Sequence, residues 1–232
     1  MRVMDANELY DPEFRELIKS KKPTVIIPVG SIEQHGAHLP ITTDSDIITE
    51  IASRLGKKCG FIVLPTISYG VSFEHEPLFN TSIATTTLRT ILSNIINSLV
   101  ENGVENFRIL NGHHGNVEPL RAFRHVSFDS FMWIHSYWRF MEHEFDHAGF
   151  VETSIMLAIS DKVKMKKAKK GFTTKGLSEK EIQRISKLST KPGGFPKVAK
   201  NGVWGDPTGA TKKDGEKLLA EIVRNLAKEC QS

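Results

Sequence analysis

Three short segments concentrate the residues able to do chemistry. The first, GSIEQHGAHLPITTDSD (30–46), places Glu33, His35, His38, Asp44 and Asp46 within fourteen residues. A carboxylate and an imidazole two positions apart point the same way in an extended chain, so they can reach one metal ion or two adjacent ones. Asp44 is close enough in sequence to return to that point and bridge. The same residues also suit a helix-capping aspartate with surface polar groups on a loop. The second segment, ILNGHHGN (109–116), carries His113 and His114 between glycines that allow a tight backbone. The third, DHAGFVETS (146–154), adds His147 and Glu152 at the start of an apolar helical stretch, where Glu152 also fits as a capping carboxylate. With no cysteine in any of them, the donors suit Zn, Mn or Fe(II), and a closed structural zinc site would more typically contain thiolates.

These segments must be positioned by strands and helices, and the pattern alternates between the two. PTVIIPVG (23–30) is a β-branched run bounded by breakers and reads as a buried strand. Residues 61–64, 107–110 and 131–134 read as three more. Leu88, Ile91, Leu92, Ile95, Ile96, Leu99 and Val100 recur at helical spacing, with Gly103 where a C-terminal cap belongs. A helix over 47–55 is expected to begin through Asp44 and Ser45, and a last one includes Leu218, Leu219, Ile222, Val223 and Leu226. Alternation of this kind predicts an α/β fold with a mostly parallel sheet covered on both faces. The first two clusters then lie at the carboxyl ends of strands, where ligands bind in such sheets, and they meet if their strands are neighbours. The chain, 1–232, is expected to be one domain with an irregular excursion at about 162–204, where one modest helical candidate covers 179–188.

Composition narrows the classes of function. Hydrophobic residues make up 39% and charged residues 25%, which supports a sizeable core and excludes global disorder. Thirty-one Lys and Arg against 27 Asp and Glu leave +4, mild enough to suit an anionic small molecule. The main basic run, 162–170, reads as a solvated loop or helix end, so no nucleic-acid partner is expected. Two cysteines, Cys59 and Cys230, make no disulfide framework and point to a reducing cytoplasm. No apolar run reaches the roughly 18 residues of a membrane span, and the acidic N-terminal stretch does not suit a signal peptide. Phosphate-loop, dinucleotide-binding, nucleophile-elbow and paired-cysteine motifs are absent from the sequence.

GSIEQHGAHLP followed by TTDSD, then NGHHGN, HAGFVETS and GVWGDPTGAT, resembles the creatininase (creatinine amidohydrolase) family from about residue 23 to the final helix. The resemblance implies a three-layer α/β/α sandwich with two divalent ions in the site. Glu33 would bind one ion and His35 the other, Asp44 would bridge them, and His113 would join Glu33 on the first. Creatininase has a metal-binding glutamate where this chain has Gly115, so Glu152 becomes the candidate carboxylate for the second ion, and creatinine is weakened as the substrate. His147 matches the family's catalytic histidine. No organic cofactor is implied.

Size and the segment YGVSFEH (69–75) are similar to an archaeal branch of the family that removes formate from a formylaminopyrimidine ribonucleotide 5'-phosphate in riboflavin and deazaflavin synthesis. That likeness implies Fe(II), with Zn or Mn as alternatives, a phosphorylated pyrimidine nucleotide as substrate, and a homo-oligomer. The chemistry is hydrolysis of a non-peptide C–N bond, with His147 giving a proton to the departing amine. Tyr137 and Trp138 could stack on a pyrimidine, although burial in the core is the commoner fate of aromatics. Two other readings stand beside it: an amidohydrolase acting on creatinine or a peptide-like amide, and a metal-bound regulatory binder.

Overall fold

Apolar β-branched runs alternate with amphipathic helices along the chain, and a computed structural model, which describes residues 4–124 and 132–230, shows how they assemble. The strands are β1 (Met4–Asp5), β2 (Thr24–Val29), β3 (Ile62–Val63), β4 (Asn106–Asn111) and β5 (Met132–Ser136). The helices are α1 (Asp11–Lys21), α2 (Thr43–Cys59), α3 (Thr85–Glu101), α4 (Val117–Arg124), α5 (Phe150–Ile159), α6 (Glu179–Ser189), α7 (Phe195–Val198) and α8 (Lys212–Glu229). The sheet order is β1-β3-β2-β4-β5, and its strands pair in parallel throughout.

Side chains alternate across the sheet and feed two separate apolar cores. Ile26 and Leu110 join α2, α5 and α8 on one face, through Ile47, Ile51, Ile155, Leu219 and Ile222. Val25, Ile27, Val29, Phe107 and Ile109 join α1, α3 and α4 on the other, through Ile18, Leu88, Leu92, Ile96 and Leu120. The result is the expected three-layer α/β/α sandwich. The chain leaves β2 towards β3 on one side and returns to place β4 on the other. The carboxyl ends of β2 and β4 therefore form the topological switch point, with Val29 opposite Asn111.

The four expected strands are present, the first two shortened to β2 and β3, the third lengthened at both ends in β4 and the fourth carried on to Ser136 in β5; Phe131, at the start of the fourth, lies outside the described residues. The short edge strand β1 and helix α1 carry little periodic apolar signal, since α1 buries only Ile18. Gly103 has the positive φ of a helix terminator, one position beyond the C-cap Asn102. The segment 162–204 holds α6 over the expected stretch and the additional short helix α7. No described helix is long and apolar enough to cross a membrane.

Candidate functional site

The switch point is filled with polar groups that would ordinarily avoid burial. Glu33 and His35 follow β2 and are fully buried, and His113 follows β4 at 3% exposure. Asp44 and Glu152 reach the same place from the first turns of α2 and α5, where the helix macrodipole favours a carboxylate. Helix α2 begins at Thr43, one residue before Asp44, and its N-cap Thr42 makes no side-chain capping bond. Asp44 therefore lies inside the helix, with its carboxylate turned to two imidazoles instead of to the backbone. Gly112 permits the approach by lacking a side chain: a Cβ there would lie 2.8 Å from the Asp44 carbonyl. Neither Gly112 nor Gly115 has a positive φ among the described residues, so close packing is what the NGHHGN glycines provide.

Asp44 divides its two oxygens between two partners. Oδ1 is 3.1 Å from His35 Nε2, and Oδ2 is 3.1 Å from His113 Nδ1. His35 Nδ1 lies 3.1 Å from the Glu33 carbonyl, so a proton there leaves Nε2 bare towards Asp44 and towards Glu152, whose Oε2 is 3.6 Å away. Glu33 Oε2 lies 3.2 Å from His113 Nε2 and also accepts from Ser31 Oγ at 3.1 Å. Four donor sets have ligand atoms within 4.8 Å of one another: Glu33–His35–Asp44, Glu33–Glu74–His113, Glu33–His75–His147 and His35–His147–Glu152. Buried carboxylate oxygens of Glu33, Asp44 and Glu152 have no aligned hydrogen-bond donor among the described residues, although imidazole nitrogens stand close to the first two. Uncompensated buried acceptors facing imidazole nitrogens are what divalent cations satisfy, so this donor set fits a metal centre.

His147 belongs to a tight loop before α5. Its backbone pairs with Trp204 in both directions, at 3.0 and 2.8 Å, which joins HAGFVETS to GVWGDPTGAT. Ala148 adopts φ 50°, a strained conformation for a residue with a side chain. His147 Nε2 is 3.0 Å from the Gln34 carbonyl and can donate to it, which turns Nδ1 towards Glu33 Oε1 at 3.9 Å. Glu152 keeps both of the roles its position suggests: Oε2 accepts from Ala148 N at 2.7 Å, while Oε1 is unpaired.

The electrostatics are those of a crowded, buried cluster. Burial opposes charge on His35, yet Asp44, with Glu152 and Glu33, outweighs it and raises the imidazole to about 10. Burial would raise Asp44 too, but His35 and His113 hold its carboxyl well below the ordinary range. Glu152 is raised to about 8 by burial, with His35 opposing and Asp44 adding. His147 is pushed well below its usual value by burial and by the neighbouring His35 and His75. A neutral imidazole beside the ion-binding donors is in the right form to take a proton and return it.

Other candidates fall outside the cluster. His38 is buried, with Nε2 2.9 Å from Thr153 Oγ1, and it appears in none of the four donor sets. Asp46 accepts from Thr42 Oγ1 at 3.0 Å and serves the start of α2. Tyr137 is core, 1% exposed, and Trp138 stacks on Phe145 at 4.5 Å behind the cavity wall. Two site residues have no role in the sequence reading: Glu74, and His75, whose Nε2 is 2.9 Å from Glu33 Oε1. The adjacent Glu and His within YGVSFEH, in the long loop after β3, are the signal that could have found them.

A cavity of about 220 Å³ opens onto this cluster and is also lined by Phe145, Phe195 and Trp204 and by Ile182 and Ser186 of α6. The segment that breaks the strand–helix rhythm thus supplies one wall of the site.

A parallel α/β sheet with a buried His–carboxylate cluster at its switch point is the framework of a metal-binding protein. The profile of the creatinine amidohydrolase (creatininase) family matches residues 7–230. The mycofactocin precursor peptide peptidase of Mycolicibacterium smegmatis is 35% identical over 221 residues, covering 90% of this chain and 85% of that protein. The creatinine amidohydrolase of Pseudomonas putida is 28% identical over 183 residues, covering 66% of this chain and 70% of that protein. Solved creatininase structures described as a Zn–Zn form and a Mn form each superpose with a TM-score of 0.80 at 23% identity. The zinc form covers 99% of this chain and the manganese form 98%, each with 97% of the other chain. The chain belongs to the creatininase family, whose members are hydrolases acting on amides.

Proposed function

We propose that this protein hydrolyses the formamide C–N bond of a formylaminopyrimidine ribonucleotide 5'-phosphate, using two divalent ions, Fe(II) before Zn or Mn, and working as a homo-oligomer. The observation that carries this reading is the small cavity, about 220 Å³, which joins the buried donor cluster to aromatic walls. A formamide is the most compact of amides and could reach the cluster with a planar ring behind it, in the part of the cavity lined by Phe145, Phe195 and Trp204. The YGVSFEH segment, which carries the likeness to the deformylase branch, contributes Glu74 and His75 to the same site.

In this reading Glu33 and His113 would hold one ion, His35 and Glu152 the other, and Asp44 would reach both. Bound ions would polarise the amide oxygen and make a water nucleophilic near neutral pH. The residues do the rest. Asp44 directs one oxygen to His35 and the other to His113, and so would hold the two ion-binding halves of the site together. His147, its Nε2–H held by the Gln34 carbonyl, accepts a proton at Nδ1 as water attacks and delivers it to the departing amine. Val151 and Trp204 keep that loop in place, the first through Asp146 Oδ2 at 3.0 Å.

A second reading, cleavage of a peptide-like amide, is favoured by the 35% identity to a peptide peptidase. The two are separated by incubating the metal-loaded protein with the formylaminopyrimidine nucleotide and, in parallel, with a panel of short peptides. Formate released above the metal-free background supports the proposal. Peptide cleavage without formate release replaces it with the second reading, and neither product overturns both.

A further inference from the structure

Gly115 leaves a space in the site that another segment fills. A Cβ at this position would lie 2.5 Å from Glu74 Oε1 and would overlap the Val71 carbonyl. Both atoms come from the loop between β3 and α3, and Glu74 sits in its 3-10 turn, Phe73–His75. The loop lies against the strand-end histidine: in the metal-free chain His113 Nε2 can donate to the Val71 carbonyl at 2.9 Å, a proton that ion binding at this nitrogen would displace, and Glu74 Oε1 is 3.3 Å from the same nitrogen. Asn116 fixes it from the other side, its Oδ1 accepting from Val71 N at 2.9 Å. The Glu74 side chain is only 12% exposed, and it forms one of the four donor sets with Glu33 and His113.

We propose that Glu74 is a carboxylate ligand of the ion on the Glu33–His113 side, so that Glu74 and Glu152 load opposite ends of the ion pair. Two observations argue for this division. Glu152 shares its donor set with His35 and His147, whereas Glu74 shares its own with Glu33 and His113. Charge favours it as well, since Glu33, Asp44, Glu74 and Glu152 together neutralise two divalent ions in a site with little solvent to screen them. The inference rests on the two-ion reading of the site and extends it to a residue outside the β2, β4 and α5 segments.

The test is calorimetric titration of chelator-stripped protein with Co(II), with visible spectra recorded at each addition. The wild type, Glu74→Gln, Glu152→Gln and the double variant are compared, with near-ultraviolet circular dichroism to confirm folding; Glu74→Ala gives the same readout should the amide fail to fold. Two ions should bind the wild type. Each single variant should weaken one ion at least about 10-fold while leaving the other near its wild-type affinity. The double variant should weaken both. Glu74→Gln with two wild-type affinities overturns the proposal. So does a double variant that still keeps one ion at full strength, because both carboxylates would then serve the same ion. A wild-type protein that binds no Co(II) removes the two-ion reading itself, an outcome visible before any variant is made.

Discussion

The two faces of the sheet carry cores of similar chemistry and different purpose. On one face, α2 and α5 bury aliphatic side chains against α8, and the first turn of each delivers a carboxylate, Asp44 or Glu152, to the cluster. On the other face, α3 has no acidic residue in its first turn, and α4 directs Glu118 to an exposed pair with Arg121. Packing on the first face positions ligands; packing on the second holds the sheet. A buried methylene is worth the same free energy on either side, but only one side converts its position into chemistry.

The comparison breaks most visibly at Asp44. If Asp44 joins both ions, Asp44→Ala loses both, and turnover drops to the metal-free background. Elemental analysis of the folded variant decides the matter, since two retained ions would remove the bridging role. His147→Asn is next, with an expected loss of about 10²–10⁴-fold in kcat and no change in metal content. Wild-type turnover in a folded, two-ion His147→Asn protein would leave His147 with only its place in the loop.

A matched pair of core truncations sharpens the contrast. Ile48 on α2 and Leu92 on α3 are both fully buried, and each replacement by Ala should cost about 2–5 kcal/mol of stability. Ile48 also packs where Gly112 meets the first turn of α2, so Ile48→Ala should weaken metal binding several-fold. Leu92→Ala should leave metal affinity per folded molecule unchanged. Equal effects of the two on metal binding would abolish the distinction between the faces.

The smallest effect concerns pH in metal-free protein. The folded pKa of His35, about 10, exceeds its ordinary 6.5, so its contribution is complete below pH 6.5 and is lost as pH rises towards 10. Glu152, raised from 4.5 to about 8, adds a loss between those values because its neutral form suits the buried site. The thermal midpoint of chelator-treated protein should therefore fall between pH 6.5 and 9. Metal-loaded protein should resist that fall, because ion binding needs the deprotonated ligands. A metal-free midpoint that rises over this range would contradict the electrostatics of the cluster.

Much of the scaffold is legible before folding. The β-branched runs of β2 and β4 and the three- and four-residue apolar repeat of α3 declare their periods locally, because burial on two faces or one stripe leaves its mark on consecutive residues. Elements stabilised mainly by docking leave no such mark: β1 has two residues, and α7 has four. The candidate residues Glu33, His35, Asp44, His113, His147 and Glu152 were readable as types at strand ends and helix starts, and the structure brings all six together. Glu74 and His75 carry only the adjacent Glu–His of YGVSFEH as a local mark, because their significance depends on distances across the fold, Glu74 to His113 beside Gly115 and His75 to Glu33.

By itself, then, the sequence determined the α/β alternation, the parallel sheet and the chemistry of the donors, since periodicity and residue type act over a few neighbouring positions. Only the tertiary structure decided the strand order that sets β2 beside β4, the turn of α2 that carries Asp44, and the oxygen of Glu152 left unpaired. The reason is geometric: a binding site is a set of distances of a few ångströms between residues far apart in the chain. Those distances come from how helices pack on the sheet, where one turn rotates a carboxylate into the cluster or away from it.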